Sequence, residues 1–188
     1  MFDGAFPPSV PYPGCQSVGG YLGPAGATPH VWSLAEWHAA SGNGKLRQLG
    51  IWLAVISHDP AQSGAQASAA AHALGWAAGK TGADRRAICL DLEMTVDQAW
   101  VEAFAAAVNK AGYTTIPYGS QSFVVSDPAC AGYWVANWDD IASEPAVPHV
   151  IGHQYVANLP YLGGQVDLSV IDDSMWNRLG RGNRHTVA

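Results

Sequence analysis

Two carboxylates close the segment Ile88-Cys89-Leu90-Asp91-Leu92-Glu93, and their spacing carries the clearest chemistry in the chain. The apolar run before them reads as a buried strand. Side chains on a strand alternate between faces, so Asp91 and Glu93 point the same way, about 6–7 Å apart along the backbone. Two acids side by side repel each other, which favours a proton on one of them near neutral pH. A protonated acid beside an ionised one is what cleavage of a glycosidic bond requires. An isolated Asp-x-Glu is more often a solvated strand end, so the pair must be weighed with its neighbours. Asp3 and Asp167 also stand near predicted strand ends, as do Tyr118, Asn137, Trp138, Gln154 and Tyr155. Each alone suits a rim residue; their arrival together from five or six strands points to a site.

The elements that must position these groups alternate. Strands are expected at Ser17–Tyr21, Gly50–Ile56, Ala87–Leu92, Thr114–Tyr118, Tyr133–Ala136, His149–Tyr155 and Gln165–Val170, with a first one around Phe2-Asp3. Ser33-Leu34-Ala35-Glu36 is a capping box opening a helix, with Trp32 and Trp37 as its hydrophobic staple. An Ala-rich helix is expected from about Gln62 to Lys80. A second capping box, Thr95-Val96-Asp97-Gln98, opens a helix that Gly112 ends, and Val101, Phe104 and Val108 form its apolar stripe. A short helix is expected near Ser120–Ser126. Repeated strand–helix units with buried strands predict a parallel sheet. About eight strands suit an α/β fold of the irregular (β/α)8 TIM type. At 188 residues the chain falls under the ~200–250 usual for it, so the later β/α units must be abbreviated. The competing doubly wound sheet lacks a Gly-rich phosphate loop after any strand.

Composition excludes several classes. The chain reads as a single barrel domain, residues 1–188, with a Pro-rich N-terminal segment 1–16 carrying the first strand and a basic tail 178–188. Charged residues make up 13%, about half the usual share, which favours a closely packed body over a disordered one. A net charge of -6 argues against a nucleic-acid partner. No apolar run approaches the ~20 residues of a membrane span, and no export signal is visible, so no route out of the cytoplasm in which it is made is expected beyond lysis, release or delivery in a phage particle. Cys15, Cys89 and Cys130 have no metal-type spacing; Cys89 reads as core, and Cys15 and Cys130 can pair only if the fold brings them together. No cofactor or metal is expected. His58-Asp59-Pro60 reads as a loop turn and His153 as part of the barrel wall.

The ordered set of Asp3, Asp91-x-Glu93, Tyr118-Gly119-Ser120, Tyr133-Trp134-Val135-Ala136-Asn137-Trp138, Gly152-His153-Gln154-Tyr155 and Val166-Asp167-Leu168-Ser169 resembles glycoside hydrolase family 25, the muramidases that cut peptidoglycan. Through Tyr21-Leu22-Gly23 and the Trp-Ser-Leu-Ala-Glu helix start it is similar to the actinobacterial glycoside-hydrolase-like branch. The Ala- and Gly-rich composition fits a high-GC actinobacterium or one of its phages. The resemblance implies that Glu93 is the general acid, that Asp91 orients and tunes it, and that Asp3 and Asp167 line the cleft. It also implies that Tyr21, Tyr118, Asn137, Trp138, Gln154 and Tyr155 contact substrate. The family's chemistry on N-acetylated sugars admits the substrate's own acetamido group as nucleophile, with Asp91 or Asp167 stabilising the charged ring.

Departures from the family pattern alter the groove and spare the acids. The basic-acidic segment after the second strand is replaced by Gly19-Gly20-Tyr21-Leu22-Gly23-Pro24, the third strand ends Ile56-Ser57-His58, and His153 stands where the family has Trp. Two functions remain open. One is a hydrolase of peptidoglycan or another envelope glycan. The other is a virion or envelope structural module whose barrel binds glycan or other phage or envelope proteins with little or no activity.

Overall fold

The computed structural model describes residues 1–24, 30–81, 84–92, 96–120, 130–143, 147–162 and 164–181, with Arg181 by its backbone alone. Strands β1 (Phe2–Asp3), β2 (Ser17–Gly23), β3 (Arg47–Leu53), β4 (Ala87–Asp91), β5 (Thr114–Ser120), β6 (Tyr133–Ala136), β7 (Val150–Tyr161) and β8 (Gly164–Ile171) pair in sequence order. β8 returns to β1, which closes an eight-stranded barrel, and a short β9 (Gly180–Arg181) is added on the start of β3. β1 to β7 run parallel, but β8 is antiparallel to both neighbours.

The expected alternating (β/α)8 TIM-type barrel is therefore corrected to a closed β-barrel with four helices among the described residues. α1 (Leu34–Ala40), α2 (Pro60–Ala73) and α3 (Gln98–Lys110) cross between β2 and β5, and α4 (Asp173–Arg178) follows the last barrel strand. The physical reason lies in β7, which runs on to Tyr161 and pairs it with Gly164 across a tight turn. An antiparallel return needs only a turn, whereas a parallel crossover needs a dozen or more residues.

Local signals place the helices. Ser33 caps α1 in a reciprocal box with Glu36, and the Trp32 and Trp37 rings lie 5.0 Å apart. α2 starts on Asp59 with a proline in its first turn and stops at Leu74, short of the expected Lys80, because Trp76 turns into the core. α3 is capped by Asp97, whose carboxylate accepts from Trp100 N, rather than by Thr95, which lies outside the described residues. Its C-terminal Gly112 has φ +88°, the left-handed value that glycine adopts without cost. The helix expected near residues 120–126 lies outside the described residues except for Ser120, which ends β5.

Alternation divides the strand residues between two cores. Leu49, Ile51, Ala87, Cys89, Ile116 and Trp134 fill the barrel interior, joined from below by Met175 and Leu179. Leu22, Trp52, Ile88 and Leu90 face outward against Trp37, Ala67, Ala71, Val101, Phe104 and Val108. With both faces covered, β4 is buried at every position, which is why it reads as a continuous apolar run ending in an acid.

Candidate active site

On β1, β2, β4, β5 and β7 the inward row turns polar towards the C-terminal ends of the parallel strands. On β4 the row passes from Ala87 and Cys89 to Asp91, which is fully buried. On β1 it ends at Asp3, and across the β1–β8 ladder Asp3 stands directly opposite Asp167. Like charges facing each other across a ladder are destabilising, so the pair needs a mediator.

Gln154 on β7 is that mediator. Its Nε2 donates to Asp3 Oδ1 and to Asp167 Oδ2, each at 3.3 Å. Its Oε1 accepts from the Tyr118 hydroxyl at 2.6 Å and from Trp138 Nε1 at 2.8 Å. Two donors on the oxygen fix the orientation of the amide and leave the nitrogen for the acids. Asp167 is held further by the backbone N–H of Asn158 at 2.6 Å, a residue in the left-handed region at φ 59° that asparagine tolerates. On the other side, the Tyr21 hydroxyl donates to Asp91 Oδ2 at 2.7 Å.

Electrostatics follows from this crowding. Burial pushes the Asp3 carboxyl well above the usual range, and the charges of Asp167 and Asp91 push the same way against the N-terminal charge and the Gln154 hydrogen bond. Its Oδ2 is buried with no hydrogen-bond partner among the described residues. Both facts fit a carboxyl that keeps its proton. The Tyr118 phenol is raised by burial and by the same three acids. Buried Cys89, one step below Asp91 on its face, is raised by burial and then by Asp91 and Asp3. Three groups on three strands thus report one concentration of negative charge.

The fold brings Asp3, Tyr21, Asp91, Tyr118, Trp138, Gln154 and Asp167 together at this end. It sets Asn137 and Tyr155 apart from the acids. Asn137 Nδ2 donates to Asp139 Oδ2 at 2.9 Å, and its backbone N–H donates to the Gln154 carbonyl at 3.1 Å. Tyr155 follows Gln154 and therefore lies on the outer face, where it lines a groove of about 560 Å³ with Tyr12, Cys15, Leu168 and Trp176. Glu93 lies outside the described residues. Asn158, the support of Asp167, was not among the expected site residues; a lone asparagine beyond the expected strand is the signal that could have found it. Among the described residues, no group of His, Cys, Asp and Glu has the arrangement of a metal site, and no helix is long and apolar enough to cross a membrane. Among the described residues, Cys15, Cys89 and Cys130 form no disulfide with one another.

Neither a family model nor a curated protein matches the sequence. Solved structures do match. An uncharacterized protein of B. stearothermophilus superposes with TM-score 0.68 at 17% identity, over 87% of this chain and 87% of that one. GHIP, a glycosyl hydrolase 25 and virulence factor of Streptococcus pneumoniae, gives TM-score 0.58 at 13% identity, over 87% and 82% of the two chains. The fold is related to that of the family 25 muramidases. The spore cortex lytic enzyme SleM of Clostridium perfringens adds TM-score 0.61 at 14% identity, over 95% of this chain and 69% of its own. At such identities the likeness is one of fold, and the chemistry must be argued from the residues.

Proposed function

We propose that the chain is a glycoside hydrolase that cuts peptidoglycan or another N-acetylated envelope glycan of actinobacteria by carboxylate acid catalysis. The observation that carries this is the convergence of Asp3, Asp91 and Asp167 from three strands, with Asp3 placed to hold its proton beside acids that can ionise. Glu93, two residues beyond Asp91, is the general acid that gives its proton to the leaving glycosidic oxygen. Asp91, oriented by the Tyr21 hydroxyl, is the partner that orients and tunes that acid. The substrate's acetamido oxygen closes on the anomeric carbon as the bond to the leaving oxygen breaks. Asp91 or Asp167 stabilises the positive ring until water opens it. Trp138, 65% exposed beside Gln154, offers an aromatic face to a sugar ring. The glycan-degrading enzymes among the structures of similar fold support this reading.

Reducing-end release from purified actinobacterial peptidoglycan, wild type against Glu93→Gln over pH 4–8, tests it. The expected loss is about 10²–10⁴-fold, the worth of one positioned general acid. No release by the wild type from intact or deacetylated wall would sink the enzyme reading and leave a glycan-binding or structural barrel of a particle or envelope.

A further inference from the structure

His153 sits on β7 next to Gln154, on the opposite face, and is 2% exposed. Its Nδ1 meets the carbonyl oxygen of Ser143, and its Nε2 lies 2.9 Å from the carbonyl oxygen of Asn137. Carbonyl oxygens only accept. Neutral imidazole has one N–H and turns a lone pair outward at its other nitrogen, so it can satisfy one of these carbonyls but not both. The imidazolium satisfies both. Two titratable groups face the ring among the described residues: Asp139, with Oδ1 3.7 Å from Nε2, and Tyr155, whose ring centre is 6.3 Å away. The flanking residues on β6 and β8, Val135 and Val170, bring no charge.

The carbonyls of Asn137 and Ser143 bracket Trp138. The same connection is laced to β7 by Asn137 N on the Gln154 carbonyl and Asp140 N on the Tyr155 carbonyl, each at 3.1 Å. We propose that His153 is a positioning residue: a doubly donating cation that folds the 137–143 arm onto β7 and so sets the Trp138 indole against Gln154. Loss of the ring proton turns a lone pair towards one carbonyl and loosens the arm. The use of this clamp, presenting Trp138 to a sugar ring in a proton-dependent way, rests on the glycan reading above; the clamp itself does not.

The test is ¹⁵N NMR of the wild-type protein from pH 5 to 9. The His153 ring signals are assigned by their loss in His153→Gln and the Trp138 indole N–H by its loss in Trp138→Phe; through-bond correlation serves if a variant fails to fold. Expected are two protonated ring nitrogens on His153 at low pH, and an indole signal that moves along the same titration curve. A bare ring nitrogen at pH 5, or an indole signal that stays fixed while His153 titrates, overturns the clamp. In parallel, affinity for a tetramer of N-acetylglucosamine should fall roughly two- to tenfold across that titration, the worth of one aromatic contact. Coupled NMR titrations without binding at any pH would uphold the clamp and remove the glycan use.

Discussion

Strands β2 to β5 carry helices on their outer face, whereas β6, β7, β8 and β1 carry none among the described residues, and the two halves are held by different forces. Behind β2 and β3 the rings of Trp32, Trp37 and Trp76 pack in sequence, tilted at 5.0 Å and then edge-on at 5.9 Å, and Phe104 of α3 is fully buried beneath α2. That is area burial, strong and undirected. On the other half, Phe2 is covered by Tyr12 of the N-terminal segment, and Tyr12 by Tyr161 at 4.8 Å. There the neighbours of the sheet are loops pinned by directed contacts, such as the His153 ring on its two carbonyls. The acids straddle the seam: Asp91 and Tyr21 belong to the helix-clad half, Asp3, Gln154 and Asp167 to the bare one. The lesson is that stability rests on the packing behind the helix-clad strands while the chemistry gathers at the seam, so the two can be damaged separately.

The sharpest division concerns Asp91. Asp91→Asn should lower reducing-end release by about 10²–10⁴-fold while leaving the melting temperature near that of the wild type, because the amide fills the same space. A collapse of the fold instead would make the acid structural. Phe104→Ala should cost about 3–5 kcal/mol in urea unfolding. Its activity per folded molecule should remain; loss of activity in the folded fraction would break the separation of packing from chemistry. Gly64→Ala comes next. In an exposed helix the change gains about 1 kcal/mol. Here a Cβ would stand 2.6 Å from the Phe104 carbonyl oxygen, so a loss of about 1–3 kcal/mol is expected as α2 is pushed off α3.

Asp3→Asn gives the smallest and most informative change. The folded-state pKa of Asp3 is raised, so the native chain holds a proton that the unfolded chain releases above about pH 3.8. By linkage the native state loses stability as pH rises from there towards the folded-state pKa. Asn, which never ionises, should raise the melting temperature at pH 7 by a few degrees, roughly 2–4 °C. The gain should shrink to nothing near pH 4. An equal gain at both pH values would show that Asp3 is not a proton-holding group.

Much of the helix-clad half was legible in the residues. The Ser33 capping box, the tryptophan staple and Gly112 act within one or two turns, and such signals do not depend on distant partners. β3 runs from Arg47 to Leu53 and not from Gly50 to Ile56, a shift concealed because its start carries Arg47 and the buried Gln48. Its 50–53 part and most of β4 were legible because burial on both faces leaves those stretches apolar. The bare half was not. Nothing local distinguishes a parallel crossover from an antiparallel return, and β7 continues through Asn158 and Pro160, residues that ordinarily mark a loop. The α3 cap moved from Thr95 to Asp97 because both residue types can cap. At the site, Asp3, Asp91 and Asp167 could be placed by alternation from strand ends. The central role of Gln154 could not, since it depends on four partners from four distant segments. Gln154 and Tyr155 also show what alternation demands: adjacent residues on one strand cannot both enter the same groove.

α4 and Leu179 give the barrel a floor. Met175 and Leu179 are fully buried against its interior side chains, and β9 seals the start of β3 beside them. Among the described residues the interior is thus closed by side chains at that end, and the acids gather at the other. On the glycan reading proposed above, a polymer is engaged across that face anywhere along its length, with no free end threaded through the barrel.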